Sequence, residues 1–346
     1  MKIAPMEALS AAELPQGDEW QYEPKWDGFR CIASRDGDET ELWSKAGQPL
    51  GRYFPDVVEA LRKLGAHRFV LDGELAIPVD GDLVFNELQL RLHPAASRVK
   101  MLSEKHPAVY LVFDFLEDER GTMLLDKPLR ERRERLEKFA ARYFSDAVRL
   151  SPATQSLKDA RRWLRTMGGG LDGIIAKNRE ALYEAGERTG SMQKIKDLRT
   201  ADCVVGGYRL GADSREVGSL LLGLFNDEGL LDHVGFTASI AERERKALTR
   251  RLRQLRGGPG FTGRAPGGPS RWSTERSGEW CPLRPELVVE VCYDQVTGGR
   301  FRHGTRLLRW RPDKAARQCT DAQLAREARP SRLIARLLQP SSRAGA

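Results

Sequence analysis

Apolar and polar residues alternate along much of the first half of the chain, which predicts short β-strands joined by tight turns. Two pairs of apolar segments flank turns that contain Asp-Gly: FRCIAS and ELWS on either side of RDGDET, and FVLDGELAIP and LVF on either side of VDGD. Each pair predicts an antiparallel hairpin. The continuous apolar segment AVYLVFDFL predicts a buried strand, and DGIIAKN and SMQKIKD also have strand character.

Three other segments of this half have the spacing of amphipathic helices. FPDVVEALRKLG ends on Gly65, PLRERRERLEKFAARYF begins at Pro128, and SLKDARRWLRTMGGG ends in glycines. Hairpins mixed with helices indicate an α+β domain and not the regular alternation of a doubly wound fold. We expect this domain to cover residues 1–198.

After residue 198 the pattern changes to short strands with one helix among them. The helix is predicted in SIAERERKALTRRLRQL and is followed by a Gly/Pro-rich loop at 257–269. This arrangement predicts a small Greek-key β-barrel of the OB type over residues 199–320, a fold that commonly binds nucleic acid. Residues 321–346 are predicted to form a basic C-terminal helix or tail that ends in disorder.

Length and charge favour two domains and a polyanionic partner. A chain of 346 residues is long enough for two ordinary domains. The net charge is +8, and residues 197–346 carry 26 basic and 17 acidic side chains against 31 and 32 in residues 1–196. The excess in the second half is almost all arginine, which makes forked contacts with phosphate. A solvated arginine-rich surface is the alternative interpretation.

Cysteine usage and hydropathy indicate an intracellular protein. The five cysteines form no C-x-x-C pair and have no histidine at zinc spacing, so we expect reduced thiols. No segment has the apolar length of a signal peptide or a membrane span. We therefore expect a soluble, cytoplasmic monomer with no membrane partner.

Six short segments place charged residues at strand ends or beside glycines, where a backbone can approach a ligand closely. They are KWDGFR, LDGEL, VFDFL, LDGIIAK, MQKIK and RWRPDK, in that order. Taken singly, each is more often a solvated turn or a core segment than a site. Together they resemble the six motifs of the covalent nucleotidyltransferases, which comprise ATP-dependent DNA ligases, RNA ligases and capping enzymes. The likeness extends from about Pro5 to Thr320 and is greatest to small bacterial accessory ligases of the "C" type.

This resemblance implies that Lys25 is the nucleophile that attacks the α-phosphate of ATP and holds AMP as a phosphoramidate. A lysine amine is nucleophilic only when it is deprotonated, so it needs neighbours that disfavour its charge. Lys194 and Lys196, together with Mg²⁺ or Mn²⁺, would supply them. The fold implied is an adenylation domain of antiparallel sheets and helices followed by an OB-fold domain.

The resemblance also implies roles for the other motif residues. Glu74 and Asp172 would hold the metal and reach the ribose region, and Phe113 would stack on adenine with Ile174 or Ile175 on the opposite side. The remaining expected contacts are Glu23 with the adenine amino group, Arg30 with the ribose or phosphate edge, Arg311 and Lys314 with the β- and γ-phosphates, and Lys45 with the 5′-phosphate of a nick. Arg311 and Lys314 require the barrel domain to close over ATP and later to open for DNA.

Three positions depart from the family pattern. Asp172 stands where Glu is usual and therefore has a shorter reach. Met192 replaces a tryptophan, and Lys45 replaces an arginine, which substitutes a point charge for a fork. None of these changes removes an essential charge.

The sequence thus predicts an ATP-dependent DNA ligase that seals nicks in duplex DNA at the bacterial nucleoid. We expect it to act in repair, with separate partners such as an end-binding factor or a repair polymerase. An RNA ligase or a GTP-using capping enzyme shares the lysine chemistry and is the enzymatic alternative. A non-catalytic OB-type nucleic-acid-binding protein is the other. A further hypothesis is that the loop at 257–269, or the helix before it, contacts the duplex.

Overall fold

The chain folds into two units. The computed structural model describes residues 3–165, 171–196, 198–211, 214–267, 279–328 and 332–339. The first unit comprises residues 1–197 together with residues 330–346, and the second comprises residues 198–329. The division after residue 197 lies within one residue of the boundary that the change of sequence pattern suggests.

The first unit is built around two antiparallel-rich sheets. Its strands are β1 (Glu7–Ser10), β2 (Trp20–Trp26), β3 (Phe29–Asp36), β4 (Glu39–Ser44), β5 (Arg68–Ala76), β6 (Pro78–Val79), β7 (Asp82–Leu83), β8 (Val109–Glu117), β9 (Val148–Leu150), β10 (Leu171–Asn178) and β11 (Arg188–Ile195). One sheet has the order β1-β11-β10-β2 and the other β4-β3-β5-β8-β9, while β6 and β7 form a small hairpin. The pairs β1–β11 and β8–β9 are parallel.

Helices cover these sheets and close the core of the first unit. They are α1 (Pro55–Arg62), α2 (Phe85–Arg91), α3 (Ala96–Lys105), α4 (Leu129–Tyr143) and α5 (Leu157–Arg165), with a 3₁₀ helix at Gly51–Tyr53. Helix α4 buries Leu136 and Phe139 against the five-stranded sheet, where Phe139 lies 4.8 Å from the ring of Phe115. Apolar residues at helical spacing therefore meet the apolar face of a sheet, as the pattern of α4 predicts.

The second unit is a strand-rich domain with one long helix in its described part. Its elements are β12 (Arg199–Leu210), β13 (Val217–Phe225), β14 (Leu231–Thr237), α6 (Glu242–Arg253), β15 (Cys281–Pro282), β16 (Val288–Tyr293), β17 (Val296–Thr297), β18 (Arg300–Phe301), β19 (Arg306–Trp310) and 3₁₀ helices at Ala316–Gln318 and Asp321–Ala328. The main sheet has the order β14-β13-β12-β16-β19, and β15 pairs with β12. All of these pairings are antiparallel, as the predicted barrel requires.

The C-terminal segment differs from the single basic helix or tail predicted over residues 321–346. The 3₁₀ helix at Asp321–Ala328 belongs to the second unit, whereas helix α7 (Arg332–Leu337) belongs to the first. Ile334 of α7 is completely buried in the same core cluster as Trp26, so α7 contributes to the first unit. The disorder predicted for the extreme C-terminus falls on residues 340–346, which lie outside the described residues.

Another sequence prediction was only partly correct. The turn at Asp80–Gly81 exists, with positive φ at both residues, but it joins the short strands β6 and β7. Strand β5 instead pairs with β3 and β8. In the predicted loop at 257–269, residues 268 and 269 lie outside the described part of the chain. No helix of the described residues is both long and apolar enough to cross a membrane.

Candidate active site

Residues from both large sheets of the first unit line one cavity of about 250 Å³. Its walls contain Pro5, Met6, Glu7, Ala8, Glu23, Pro24, Lys25, Trp26, Arg30, Lys45, Glu74, Phe113, Ile175, Lys177, Met192 and Lys194. The cavity therefore gathers eight of the residues that the sequence predicts for a nucleotide site: Glu23, Lys25, Arg30, Lys45, Glu74, Phe113, Ile175 and Lys194. A concave site with convergent charged groups is the usual form of a small-molecule site.

Lys25 lies on β2 next to two other motif residues. Its Nζ donates to Oδ2 of Asp172 at 2.5 Å, and Nζ of Lys196 lies 3.3 Å from the same oxygen. A quarter of the Lys25 side chain is exposed, against 7% of Asp172, so the amine remains accessible from the cavity. One carboxylate thus holds two ammonium groups close together, and a bound phosphate would meet both.

A bulge in β10 brings Asp172 to this position. The register between β10 and β2 shifts between Leu171 and Ile174. Gly173 has φ of +136°, and a Cβ atom there would lie 2.2 Å from the carbonyl oxygen of Ile195. Only glycine fits this approach without strain, which explains the glycine beside the acidic residue in LDGIIAK.

The glycine of the Asp27-Gly28 step, which follows Lys25 and Trp26, also allows a close approach of two backbone segments, here beside Glu74. A Cβ atom on Gly28 would lie 2.2 Å from the carbonyl oxygen of Leu75 and 2.7 Å from Cγ of Glu74. Without a side chain, the turn between β2 and β3 can pass directly over β5. Burial raises the pKa of Glu74 to about 7, although the positive charges of Arg30 and Lys25 oppose this shift. Glu74 is therefore a carboxyl group that a nearby cation would strongly favour in its ionised form.

Glu23 forms a buried ion pair with Lys177 in the cavity wall. Oε2 of Glu23 lies 2.8 Å from Nζ of Lys177, and Oε1 accepts a hydrogen bond of 2.8 Å from Nε2 of Gln21. The exposed fractions are 2% for Glu23 and 7% for Lys177. A carboxylate acceptor and an ammonium donor are therefore fixed side by side in a site largely shielded from water.

Phe113 forms the apolar part of the site and is flanked by positive charge. The guanidinium of Arg30 and the ammonium of Lys177 each lie 4.5 Å from the centre of its ring. Asp72 holds Arg30 through two hydrogen bonds of 2.6 Å and also accepts one from the hydroxyl of Tyr183. The pKa of Arg30 is raised, because attraction to Asp72 outweighs its burial. Arg30 is thus a fixed cation at the edge of an aromatic surface.

The structure corrects the placement of Ile174. Ile174 is completely buried in the core with Trp26, whereas Ile175 lines the cavity opposite Glu23 on β2 and Lys194 on β11. The reason is strand alternation, which turns adjacent residues to opposite sides of a sheet. Of the two isoleucines considered for the second wall of the base pocket, the geometry therefore favours Ile175, with Met192 also in the cavity wall.

Two further cations lie at the cavity. Burial lowers the pKa of Lys194, and the neighbouring charge of Lys25 lowers it further. Lys45 lies 3.0 Å from Oε1 of Glu7. Arg188 binds the other oxygen of Glu7 through Nε at 3.1 Å and also through Nη2. The hydrogen bonds from Arg188 and then Lys45 lower the pKa of Glu7 to about 2, so Glu7 is an anion at neutral pH.

Arg311 and Lys314 are found together in the second unit. Oδ1 of Asp202 accepts from Arg311 at 2.9 Å, and Oδ2 accepts from Lys314 at 2.6 Å. Asp313 also binds Arg311 through Nε and Nη2. The two basic residues of RWRPDK are therefore presented as a pair by one carboxylate.

The carboxylates of the first unit fit a magnesium ion that is held mainly by substrate. Oδ1 of Asp172 is buried and has no hydrogen-bond partner, and Glu74 is the second carboxyl group near Lys25. Within the described residues, no three His, Cys, Asp or Glu side chains form a metal-binding group. Mg²⁺ is commonly bound by one or two carboxylates together with phosphates and water, so this donor set suits it.

Sequence reasoning gave no role to Lys177, Glu7 or Arg188. Lys177 ends the motif LDGIIAK, and its period-two spacing from Ile175 was a signal that could have placed it in the cavity wall. Glu7 and Arg188 are separated by 181 residues and meet because β1 and β11 are parallel partners. No local pattern predicts that contact.

Comparisons with known proteins agree with this geometry. The chain matches the family description "ATP dependent DNA ligase domain" over residues 3–196 and "ATP dependent DNA ligase C terminal region" over residues 213–314. It is 45% identical to DNA ligase C2 of Mycolicibacterium smegmatis, with 93% of this chain and 94% of the relative covered. It is 42% identical to DNA ligase C of Mycobacterium tuberculosis, with 94% of each covered.

A solved Lig E DNA ligase shares the fold at a TM-score of 0.54, with 17% identity, and the match covers 88% of this chain and 99% of that one. The predicted α+β adenylation domain followed by an OB-fold domain is thereby confirmed. The matches cover both units, and so the chain belongs to the family of ATP-dependent DNA ligases.

Proposed function

We propose that this chain seals nicks that carry a 5′-phosphate and a 3′-hydroxyl in duplex DNA, with Lys25 as the nucleophile. The observation that carries the proposal is the shared carboxylate of Asp172, which holds the ammonium of Lys196 next to the amine of Lys25 in the cavity wall. An anionic phosphate placed there meets a nucleophile and a fixed positive charge together. Alignment and charge neutralisation are the main requirements of phosphoryl transfer.

In the first step the neutral amine of Lys25 attacks the α-phosphorus of ATP. The bond from phosphorus to Nζ forms, the bond to the bridging oxygen breaks, pyrophosphate leaves, and the amine loses a proton. Because Asp172 attracts the ammonium form of Lys25 in the free protein, this contact has to loosen when the nucleotide binds. Lys194 and Lys196 then neutralise the phosphate oxygens.

Two further transfers complete the reaction. An oxygen of the 5′-phosphate at the nick attacks the phosphorus of the lysyl-AMP, and the bond to Nζ breaks. The 3′-hydroxyl oxygen next attacks the 5′-phosphorus, loses its proton and releases AMP. Lys45 and Arg30 are the cations that we assign to the nick phosphate and to the ribose or phosphate edge of the nucleotide.

We assign adenine to the pocket beside Phe113 and Ile175. The Glu23 carboxylate accepts from the 6-amino group, and the Lys177 ammonium, 2.8 Å away, donates to a ring nitrogen of the same edge. Guanine has a carbonyl oxygen where adenine has the amino group, so it would place an acceptor against the carboxylate. A buried acceptor without a donor costs about 1–3 kcal/mol, which favours ATP over GTP.

We assign Mg²⁺, or Mn²⁺, to the carboxylates of Asp172 and Glu74. When bound, the ion would offset negative charge on the phosphates. The shorter side chain of Asp172, compared with the usual glutamate, places the carboxylate closer to the backbone of β10. The residues that orient pyrophosphate, Arg311 and Lys314, would act from the second unit.

The setting we propose is DNA repair in the cytoplasm, at the nucleoid. Gap filling by a repair polymerase leaves the nick that a ligase needs, and an end-binding factor would supply broken ends. These partners would be separate proteins. Sealing in the presence of each candidate partner, compared with sealing by the ligase alone, tests the assignment.

The test of the core proposal is labelling with ATP that carries a radioactive α-phosphate. We expect labelled protein from the wild type and from the control Lys138→Ala, an exposed lysine of α4, but not from Lys25→Ala. A chase with nicked DNA should discharge the label and seal the strand, and nicked RNA should not. Absence of label in wild-type protein freed of bound AMP would refute the proposal and favour a binding protein, while discharge by RNA alone would indicate an RNA ligase.

A further inference from the structure

Four of the basic residues that line the cavity are paired with acidic side chains of the protein itself. Asp172 holds Lys25, Asp72 holds Arg30, Glu23 holds Lys177, and Glu7 holds Lys45. The exposed fractions of these acids are 7%, 0%, 2% and 24%, respectively. Of these four acids, Glu7 is therefore the one that water and solutes reach most easily, and its ion pairs are the ones that a ligand could exchange.

Glu7 bridges two cations that come from different sheets. Arg188 is its partner on the neighbouring strand β11, whereas Lys45 follows β4 of the other sheet. Lys45 and Arg188 are more than half exposed, at 55% and 54%. The two cations hold one carboxylate oxygen each, Oε1 and Oε2. A phosphate also presents several oxygens to such a pair, and it carries more negative charge than a carboxylate.

We propose that Glu7 is an internal competitor for phosphate, which occupies a subsite formed by Lys45 and Arg188 until the substrate displaces it. This inference rests on the proposed function, because it takes the 5′-phosphate at a nick as the ligand. A nick that carries a dianionic 5′-phosphate displaces the carboxylate, whereas a nick that ends in a 5′-hydroxyl offers no equivalent group. Glu7 thereby weakens the binding of phosphorylated nicks and narrows their advantage over nicks that end in a 5′-hydroxyl.

A simple surface ion pair is the competing explanation, since exposed pairs contribute little to stability. The two explanations differ in what they predict for DNA binding. A surface pair of no function leaves the nick affinity unchanged when it is removed. A competitor weakens phosphate binding as long as it is present, so its removal strengthens the binding of 5′-phosphate nicks and increases the preference for the 5′-phosphate.

The test compares wild type, Glu7→Gln and the matched control Glu187→Gln, a nearby exposed acid on the loop that precedes β11. Dissociation constants for nicked duplexes with a 5′-phosphate or a 5′-hydroxyl would be measured by fluorescence anisotropy at several salt concentrations. We expect Glu7→Gln to bind nicks about tenfold more tightly, which corresponds to about 1.4 kcal/mol. The gain should be smaller for the 5′-hydroxyl nick, so that discrimination rises.

The salt dependence gives a second readout. With Glu7 neutralised, the protein presents one more net positive charge to the DNA, so binding releases about one more of the counterions condensed on the DNA. The plot of log affinity against log salt should therefore steepen by about one. Glu187→Gln should change neither the slope nor the discrimination. In a Lys45→Met background the gain from Glu7→Gln should shrink, which a double-mutant cycle measures. Equal behaviour of Glu7→Gln and Glu187→Gln, or weaker binding by Glu7→Gln, would overturn the inference.

Labelling with ATP separates this inference from the proposed function. If Glu7→Gln is labelled like wild type and changes only nick binding, the phosphate belongs to DNA. If it instead lowers the KM for ATP and leaves nick binding unchanged, Glu7 competes with the triphosphate and not with the nick phosphate, and the inference is overturned. If the wild type takes no label at all, the proposed function itself fails.

Discussion

The buried ion pair between Lys177 and Glu23 permits the most demanding test of the base pocket. In Lys177→Met the carboxylate of Glu23, which is 2% exposed, remains charged without its counter-ion. Removing one partner of a buried pair typically costs about 3–5 kcal/mol. Since 1 kcal/mol changes the melting temperature of a domain of this size by about 2–4 °C, we expect the first unit to melt roughly 10 °C lower or more.

The double variant Glu23→Gln with Lys177→Met removes both charges at once. Replacement of a buried pair by neutral groups of similar volume is often close to neutral, so most of the lost stability should return. The ability to choose between bases should not return, because the amide of Gln can accept from adenine or donate to guanine, and the ammonium donor that we assign to adenine is gone. We expect the ratio of ATP to GTP labelling to fall about tenfold or more, from the loss of hydrogen bonds worth about 1–3 kcal/mol.

Calorimetry of the full chain provides the stability readout, with the transition of the first unit identified by its upward shift on ATP binding. The matched control is the exposed pair Glu134 and Lys138 on α4, tested as Lys138→Met and as the double variant Glu134→Gln with Lys138→Met. These changes should alter the free energy of unfolding by less than about 1 kcal/mol. The reasoning fails if the double variant is as unstable as Lys177→Met. It also fails if the folded double variant still prefers ATP as strongly as the wild type.

Three further predictions concern pH and backbone fit. Burial, together with the positive charge of Arg300, lowers the pKa of His233 to about 4. Below pH 6.5 the unfolded chain therefore binds a proton at this residue that the folded unit does not bind. The free energy of unfolding should fall by up to about 3 kcal/mol between pH 6.5 and pH 4. Urea denaturation should show this slope in wild type and a flatter one in His233→Gln; equal slopes would contradict it. Glu74 has the opposite effect on the pH dependence of stability, because its pKa is raised to about 7. In metal-free buffer, Glu74→Gln should stabilise the protein at pH 8 but not at pH 4.5, while the exposed control Glu104→Gln should have no effect at either pH. A difference in stability that is independent of pH would refute the assignment. Gly173→Ala should abolish labelling by ATP, since its Cβ would collide with the carbonyl of Ile195. Gly190→Ala should retain labelling, because no atom lies within 4 Å of a Cβ added there. Full labelling of soluble Gly173→Ala would show that the bulge is dispensable.

Local sequence patterns predicted most of the elements that carry the site. The hairpin of β3 and β4 forms around Gly37, which has φ of +61°, and the long amphipathic segments form α4 and α6. Helices α2 and α3 were not predicted, because their short apolar patterns lie beside a turn and a loop. The partner of β5 was also missed, since the apolar strand β8 lies far along the chain and pairing between distant strands leaves no local signal.

The error at Ile174 has a specific physical origin. Strict alternation counted from Asp172 puts Ile174 on the same side of the strand as the carboxylate. The bulge at Gly173 inserts an extra step, so that Asp172 shares its side with Ile175 and Lys177 instead. The sequence shows the glycine but not that its φ is positive. This backbone angle decides which face of β10 each residue after Gly173 occupies.

The pairing of charges in the cavity could not have been predicted from motifs, although each motif names one of the charges. Lys25 and Asp172 are 147 residues apart, and Arg30 and Asp72 are 42 residues apart. In the free protein these acids occupy the cations that phosphate is expected to bind, so nucleotide and DNA must exchange existing ion pairs instead of entering an uncompensated positive site. The free energy gained by the substrate is then the difference between its phosphate contacts and the carboxylate contacts that it replaces. Selectivity therefore depends on how firmly each acid is held, and the acid exposed at the mouth of the cavity, Glu7, is the one whose removal should alter that selectivity without unfolding the site.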